Sequence, residues 1–202
     1  MALWLAAAPL LLASRSAARR RLLEAAGVPI EVAPADIDER AFEARSAAQG
    51  SSAVAALLAR EKASVLARQK PGRLVLGADQ TLALGTERFA KPASIAAARA
   101  QLCALRGRAH ELHSAIAVVQ DDQVLFEHFD VARLTMRAFS DRFLDAYLDT
   151  VGAAATESVG AYQIEGRGIQ LFERVDGDFF TVLGLPLLAL LQFLRQQGCL
   201  AP

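Results

Sequence analysis

The sequence predicts an α/β fold: a mixed, twisted sheet flanked by helices. Two observations carry this. Short apolar runs of strand character alternate with amphipathic stretches bounded by helix caps and glycines. Two longer segments near the middle, His110 to Gln120 and Val124 to Met136, read as antiparallel strands turning at Asp121-Asp122-Gln123, which makes the sheet mixed.

Taken in order, Leu10 to Ala13 is the first buried strand and Ser16 to Ala26 a helix closed by Gly27. Ile30 to Pro34 is a strand, Ser51 to Arg68 a helix, and Arg73 to Ala78 a strand followed by a turn around Gly85. Ser94 to Leu105 is a helix that stops near Gly107. Ser140 to Thr150 has an N-cap serine and an apolar face of Phe143, Leu144 and Tyr147, so it is helical as well. The stretch Ile164 to Val182 reads as strand-rich, and Pro186 to Gln196 is the final helix.

At 202 residues the chain suits one substantial domain, 1–202, with a core that needs neither disulfides nor a structural metal. Apolar residues make up 53% and charged residues 22%, with 22 bases against 22 acids, so the chain is expected to be globular rather than a nucleic-acid coat. Cys103 and Cys199 lie 96 positions apart with no paired spacing, which argues against a zinc site or a secreted disulfide scaffold and for a reducing cytoplasm. Met1 to Ala13 is apolar, but its charge follows rather than precedes it, the wrong polarity for export. Those thirteen residues are also too few to span a bilayer of about 30 Å, so no membrane partner is expected.

Several stretches could carry chemistry. Arg15, Arg19, Arg20 and Arg21 crowd the start of the first helix, an end that ordinarily disfavours cations. They make sense if an anion binds the unpaired N–H groups there; Arg19 is the expected phosphate contact, and Arg20 and Arg21 are read as solvated surface. On the helix Ser51 to Arg68, Glu61 falls inside the apolar stripe and Lys62 on its edge. Lys62 is either a snorkelling side chain paired with Glu61 or the border of a cleft that holds negative charge.

The string RLVLGADQT, residues 73–81, ends an apolar run and then delivers Asp79, at the carboxyl end of a strand where α/β sheets bind ligands. Asp79 could ligate a divalent metal, serve as a general base or simply cap a turn. Asp36, Asp38 and Glu39 form an acidic group able to share a metal or to be solvated, and Lys91-Pro92 follows a short turn. There is no P-loop, dinucleotide-binding glycine motif or GxSxG elbow, and His110 and His113 fall on opposite faces of a strand, which disfavours a shared zinc.

Seven strings in order, LASRSAARRRLLEAAG, DIDER, LAREKA, LGADQT, AKP, GAYQIEGRG and VLGLPL, resemble the Maf family of nucleoside triphosphate pyrophosphatases over about Leu10 to Leu194. The resemblance implies a Maf/inosine triphosphatase-like fold with a cleft between two lobes. It also implies a cytoplasmic homodimer that cleaves a nucleoside triphosphate between the α and β phosphates with a divalent cation, Mg²⁺ or Mn²⁺. On matching positions, Asp79 is the general base, Ser14, Arg19, Lys62 and Lys91 hold the triphosphate, and Glu39 joins Asp79 at the metal. The base-selecting positions fall on Ala18, Gln80 and Glu165, and the last two resemble the branch that takes 7-methyl-GTP. A carboxylate at Glu165 suits the N–H edge of guanine. The chain departs from the family at Ser16-Ala17-Ala18-Arg19, which lacks the usual proline and the aromatic or arginine at position 18, and at His113-Ser114-Ala115, which replaces a YTG-like ending. An alternative carried by the family name is a non-catalytic nucleotide-binding regulator of cell division.

Overall fold

A computed structural model describes residues 3–39, 42 and 49–202, so Arg40 of the DIDER string lies outside the described residues. The chain divides into two compact units. The first comprises Met1–Gln80, Ser114–Asp130 and Asp178–Pro202, and the second Thr81–His113 and Val131–Gly177.

In the first unit, β1 (Leu10–Leu12) lies between β2 (Ile30–Val32) and β3 (Leu74–Leu84) and is parallel to both, with Leu11 opposite Glu31 on one side and Val75 on the other. Such a central strand is covered on both faces, which is why it reads as an unbroken apolar run. Leu10 and Leu12 point to one face, where Leu23 of α1 (Ala17–Ala25) and Leu190, Phe193 and Leu194 of α6 (Leu187–Gln196) join them. Leu11 and Ala13 point to the other, onto Ala63, Leu66 and Ala67 of α2 (Ser51–Gln69).

Along α2, Ala55 and Ala59 pack on Ala115 and Ala117 of β5 (Ala109–Gln120). Small side chains let the helix sit very close to the sheet. At Gly77 of β3 a Cβ would fall 2.0 Å from the carbonyl oxygen of Ala59 and 2.8 Å from the nitrogen of Ala63, so no side chain fits. The short α5 (Phe179–Val182), capped by Asp178, leads into the Gly184 turn ahead of α6.

In the second unit the far half of β3 folds back on β4 (Glu87–Phe89) around Gly85, and α3 (Ile95–Leu105) follows with Ser94 as its N-cap. The later part of β6 (Gln123–Met136) pairs antiparallel with β7 (Phe172–Asp176), and α4 (Asp141–Val151) starts at the Ser140 cap. His110, Tyr162 and Phe172 form an aromatic cluster, with His110 and Tyr162 joined by a 2.7 Å hydrogen bond. None of the helices among the described residues is long and apolar enough to cross a membrane.

The mixed α/β class stands: parallel strands beside antiparallel ones, with helices packed on them. Two expectations need correcting. β3 does not end at Ala78 but continues to Leu84, so Asp79 lies inside the strand rather than beyond its carboxyl end. Its parallel neighbour β1 ends at Leu12, opposite Leu76, and beyond it the Ala78 carbonyl of β3 accepts from Arg19 Nη1 instead of from a strand. The stretch Ile164 to Val182 is also not strand-rich: it holds a 3₁₀ turn (Arg167–Leu171), β7 and the helical turn α5. Gly168 explains part of this, because its Cβ position lies 2.5 Å from the carbonyl oxygen of Gln163, a close backbone contact that an extended strand could not make.

Candidate active site

The site grows out of the contact between α2 and β3. Gly77 and Asp79, two residues apart on a strand, face the same side, and that side meets α2 at Ala59 and Ala63. Lys62 follows in the same turn of the helix. Its Nζ donates to Asp79 Oδ1 at 2.7 Å and lies 2.9 Å from Glu39 Oε1. Lys62 therefore does not snorkel to Glu61: it is 8% exposed and turned inward onto Asp79, itself 7% exposed. Burial raises the Asp79 carboxyl above the ordinary carboxylate range, and the positive charges of Lys62 and Arg19 oppose that rise.

Arg19 is the third buried charge, 8% exposed. Its Nε donates to the Gly184 carbonyl oxygen at 2.8 Å, and Nη1 donates to the Ala78 carbonyl oxygen at 2.8 Å and to Ser14 Oγ at 3.1 Å. The guanidinium thus ties the end of β1, the middle of β3 and the Gly184 turn together. Burial lowers its pKa from the ordinary value, with Asp79 and Glu39 pulling the other way. The backbone leads it there, because Ser14 Oγ accepts from Ser16 N and Ser16 Oγ caps α1 by accepting from Arg19 N. Arg15 and Arg20 line a surface hollow with Ser14, Ser16, Ala17 and Val32. Arg20 also pairs with Glu24 at 3.8 Å, so it is surface and rim at once.

Gln80 follows Asp79 on β3, and its Nε2 donates to Ser114 Oγ at 2.9 Å and to the carbonyl oxygens of Thr181 and Val182 at 3.1 Å each. Ala18 is half-buried on α1. The sequence-predicted residues Ser14, Arg19, Glu39, Lys62, Asp79 and Gln80 therefore share one region of the first unit. Lys91 and Glu165 belong to the second unit, where both are exposed and both interact with other residues. Of the acidic string Glu39 reaches Lys62, Asp36 and Asp38 are exposed, and among the described residues no three metal-ligating side chains converge. Thr181 carries no mark in the sequence, and Ser114 and Gly184 stand out only as parts of longer strings; all three are uncharged and lie more than 30 positions from Gln80.

Two buried cations against a desolvated carboxylate, beside a capped helix start whose rim carries more arginines, define an α/β protein suited to an anionic ligand. The chain belongs to the Maf family: residues 9–197 match the family described as Maf-like protein. A Rhodopseudomonas palustris protein named nucleoside triphosphate pyrophosphatase is 56% identical over 201 residues, covering 100% of both chains. One of the same name from Bradyrhizobium diazoefficiens is 54% identical over 201 residues, again covering 100% of both. A Mesorhizobium japonicum protein named 7-methyl-GTP pyrophosphatase is 51% identical over 193 residues, covering 95% of this chain and 97% of the relative.

Proposed function

We propose that the chain hydrolyses a nucleoside triphosphate to the monophosphate and pyrophosphate, with Asp79 as general base. The observation that carries this is the buried Lys62–Asp79 pair at 2.7 Å, with Arg19 part of the same charge balance. Water is added across the anhydride between the α and β phosphates, and Asp79 takes the proton of the attacking water. A carboxyl raised above its ordinary range is a better proton acceptor than a free one, and Lys62 opposes that rise. Lys62 and the Nη2 group of Arg19, the guanidinium nitrogen not tied to Ser14, Ala78 or Gly184, face the growing negative charge. Arg15, Arg20 and the N-terminus of α1 extend this positive surface, and Lys91 is the remaining cation assigned to the triphosphate.

A divalent cation fits the same carboxylates. Glu39 and Asp79 already converge on one positive charge, Lys62 Nζ, and hard oxygen donors suit Mg²⁺ or Mn²⁺. Bound there, the ion would neutralise phosphate charge. For the base we assign Gln80 and Glu165 the selecting role, in keeping with a guanine-type nucleotide such as 7-methyl-GTP. The alanine at position 18 removes an expected stacking partner. Cys103 and Cys199 are both free thiols, which supports a cytoplasmic setting.

The test is to incubate the protein with Mg²⁺ or Mn²⁺ and a panel of canonical and methylated triphosphates and measure the products. Release of pyrophosphate supports the proposal, and release of single phosphates overturns it. Tight nucleotide binding with no turnover under any metal would favour the regulator instead.

A further inference from the structure

Ser114 is fully buried on β5 in the string that departs from the family's usual ending, and the reaction as described does not use it. Its hydroxyl has one proton, which it donates to the Thr181 carbonyl oxygen at 2.7 Å. Toward Gln80, 2.9 Å away, Ser114 Oγ can then only accept. The same end of the Gln80 side chain lies 3.1 Å from the carbonyl oxygens of Thr181 and Val182, which cannot donate either. With three acceptors around it, that end must be the amide nitrogen, so the partners themselves fix which way round the amide sits.

The consequence lies at the other end. Oε1 is turned toward Gly184, where a Cβ would stand 3.5 Å from it and 3.4 Å from Arg19 Nη2. Gly184 has a φ of +89°, so side chains are disfavoured there, and no side chain at 184 crowds Oε1.

We propose that Ser114 is a positioning residue: its hydroxyl, with the Thr181 and Val182 carbonyls, locks the Gln80 amide so that only an acceptor is presented. The site then selects a nucleobase edge bearing an N–H donor. This rests on the reading of Gln80 as a base-selecting residue. A swivelling amide could offer either a donor or an acceptor and would discriminate poorly, whereas a locked one leaves its oxygen unpaired with any base that lacks the donor.

The experiment measures kcat and KM for GTP, ITP, ATP, UTP, CTP and dTTP with wild type, Ser114→Ala, Ser114→Thr and Gln80→Glu. Ser114→Ala is expected to cut the ratio of kcat/KM between the best and the other nucleotides about tenfold, mostly through KM. Ser114→Thr, which restores the hydroxyl, is expected to recover the ratio. Gln80→Glu sets a carboxylate oxygen against two carbonyls and a hydroxyl oxygen, so it loses the lock and its ratio at pH 7 is expected to fall as in Ser114→Ala. An unchanged ratio in Ser114→Ala alongside a lowered Tm would mean that the hydroxyl only packs, and this overturns the proposal. If wild type releases no pyrophosphate from any nucleotide, it is the hydrolase reading that fails. The same ratio is then measured from binding constants, where loss of selectivity in Ser114→Ala supports the lock and its retention overturns it.

Discussion

The two units each bury a polar cluster, and they do so in opposite ways. In the second unit His110 and Tyr162 meet through a neutral hydrogen bond among aromatic rings. Burial pushes the His110 imidazole down to about 4, the Tyr147 hydroxyl up to about 12 and that of Tyr162 further up, so each side chain is driven away from its charged form. In the first unit burial also raises the Asp79 carboxyl, but Lys62 and Arg19 stand against that rise. Desolvation alone favours the neutral form, which suits packing, whereas desolvation opposed by nearby positive charge leaves a buried carboxyl that can both take and give up a proton.

The sharpest way to break this contrast is Asp79→Asn. It keeps the shape and removes the base, so turnover is expected to fall by on the order of 10³-fold or more, with nucleotide binding by titration largely retained. Its pH counterpart follows from the raised Asp79 pKa: the acid limb of kcat/KM in wild type should lie above the ordinary carboxylate value of 3.8, because the base must be deprotonated.

Next comes Lys62→Met, which strands a buried carboxylate and should cost about 3–5 kcal/mol by chemical denaturation at pH 7. With the carboxyl's folded-state pKa raised still further, folding is favoured by protonation, so the deficit should shrink as pH falls toward the ordinary carboxylate range.

In the second unit the sign reverses. His110 has a folded pKa of about 4 against 6.5 unfolded, so the unfolded chain binds the extra proton and stability is lost as pH falls from 6.5 to about 4. The loss is on the order of 3 kcal/mol, and His110→Gln should flatten it. Smallest of all is Glu127→Ala, which removes the Arg60 partner at 2.6 Å on a half-exposed surface and should cost under about 1 kcal/mol.

What was legible in the sequence were the features carried by neighbours along the chain. Serines 16, 94 and 140 cap the helices they announced, and Gly27 and Gly85 take the positive φ expected of them. Arg19 stood out at a helix start that disfavours cations, Lys62 on the edge of an apolar stripe and Asp79 at the end of an apolar run, and the fold brings them into one region. Partners set by long-range register were not legible. Nothing local to Gln80 points to Ser114 or Thr181, and nothing at Lys62 distinguishes Glu61, its neighbour, from Glu39, its actual partner. The apolar residues of 164–182 had strand character, but a 3₁₀ turn with Gly168 close to the Gln163 backbone comes first, and pairing begins at Phe172.

Gly77 sets the spacing on which these contacts depend. Because α2 rests on bare backbone there, the helix cannot come nearer and has no cushion holding it off, and the reach of Lys62 to the carboxylate two residues along is fixed by that seating. A single methyl group at position 77 would act as a wedge between helix and sheet: it would lift the helix and lengthen the ion pair, so Gly77→Ala is expected to lower Tm and pyrophosphate release together.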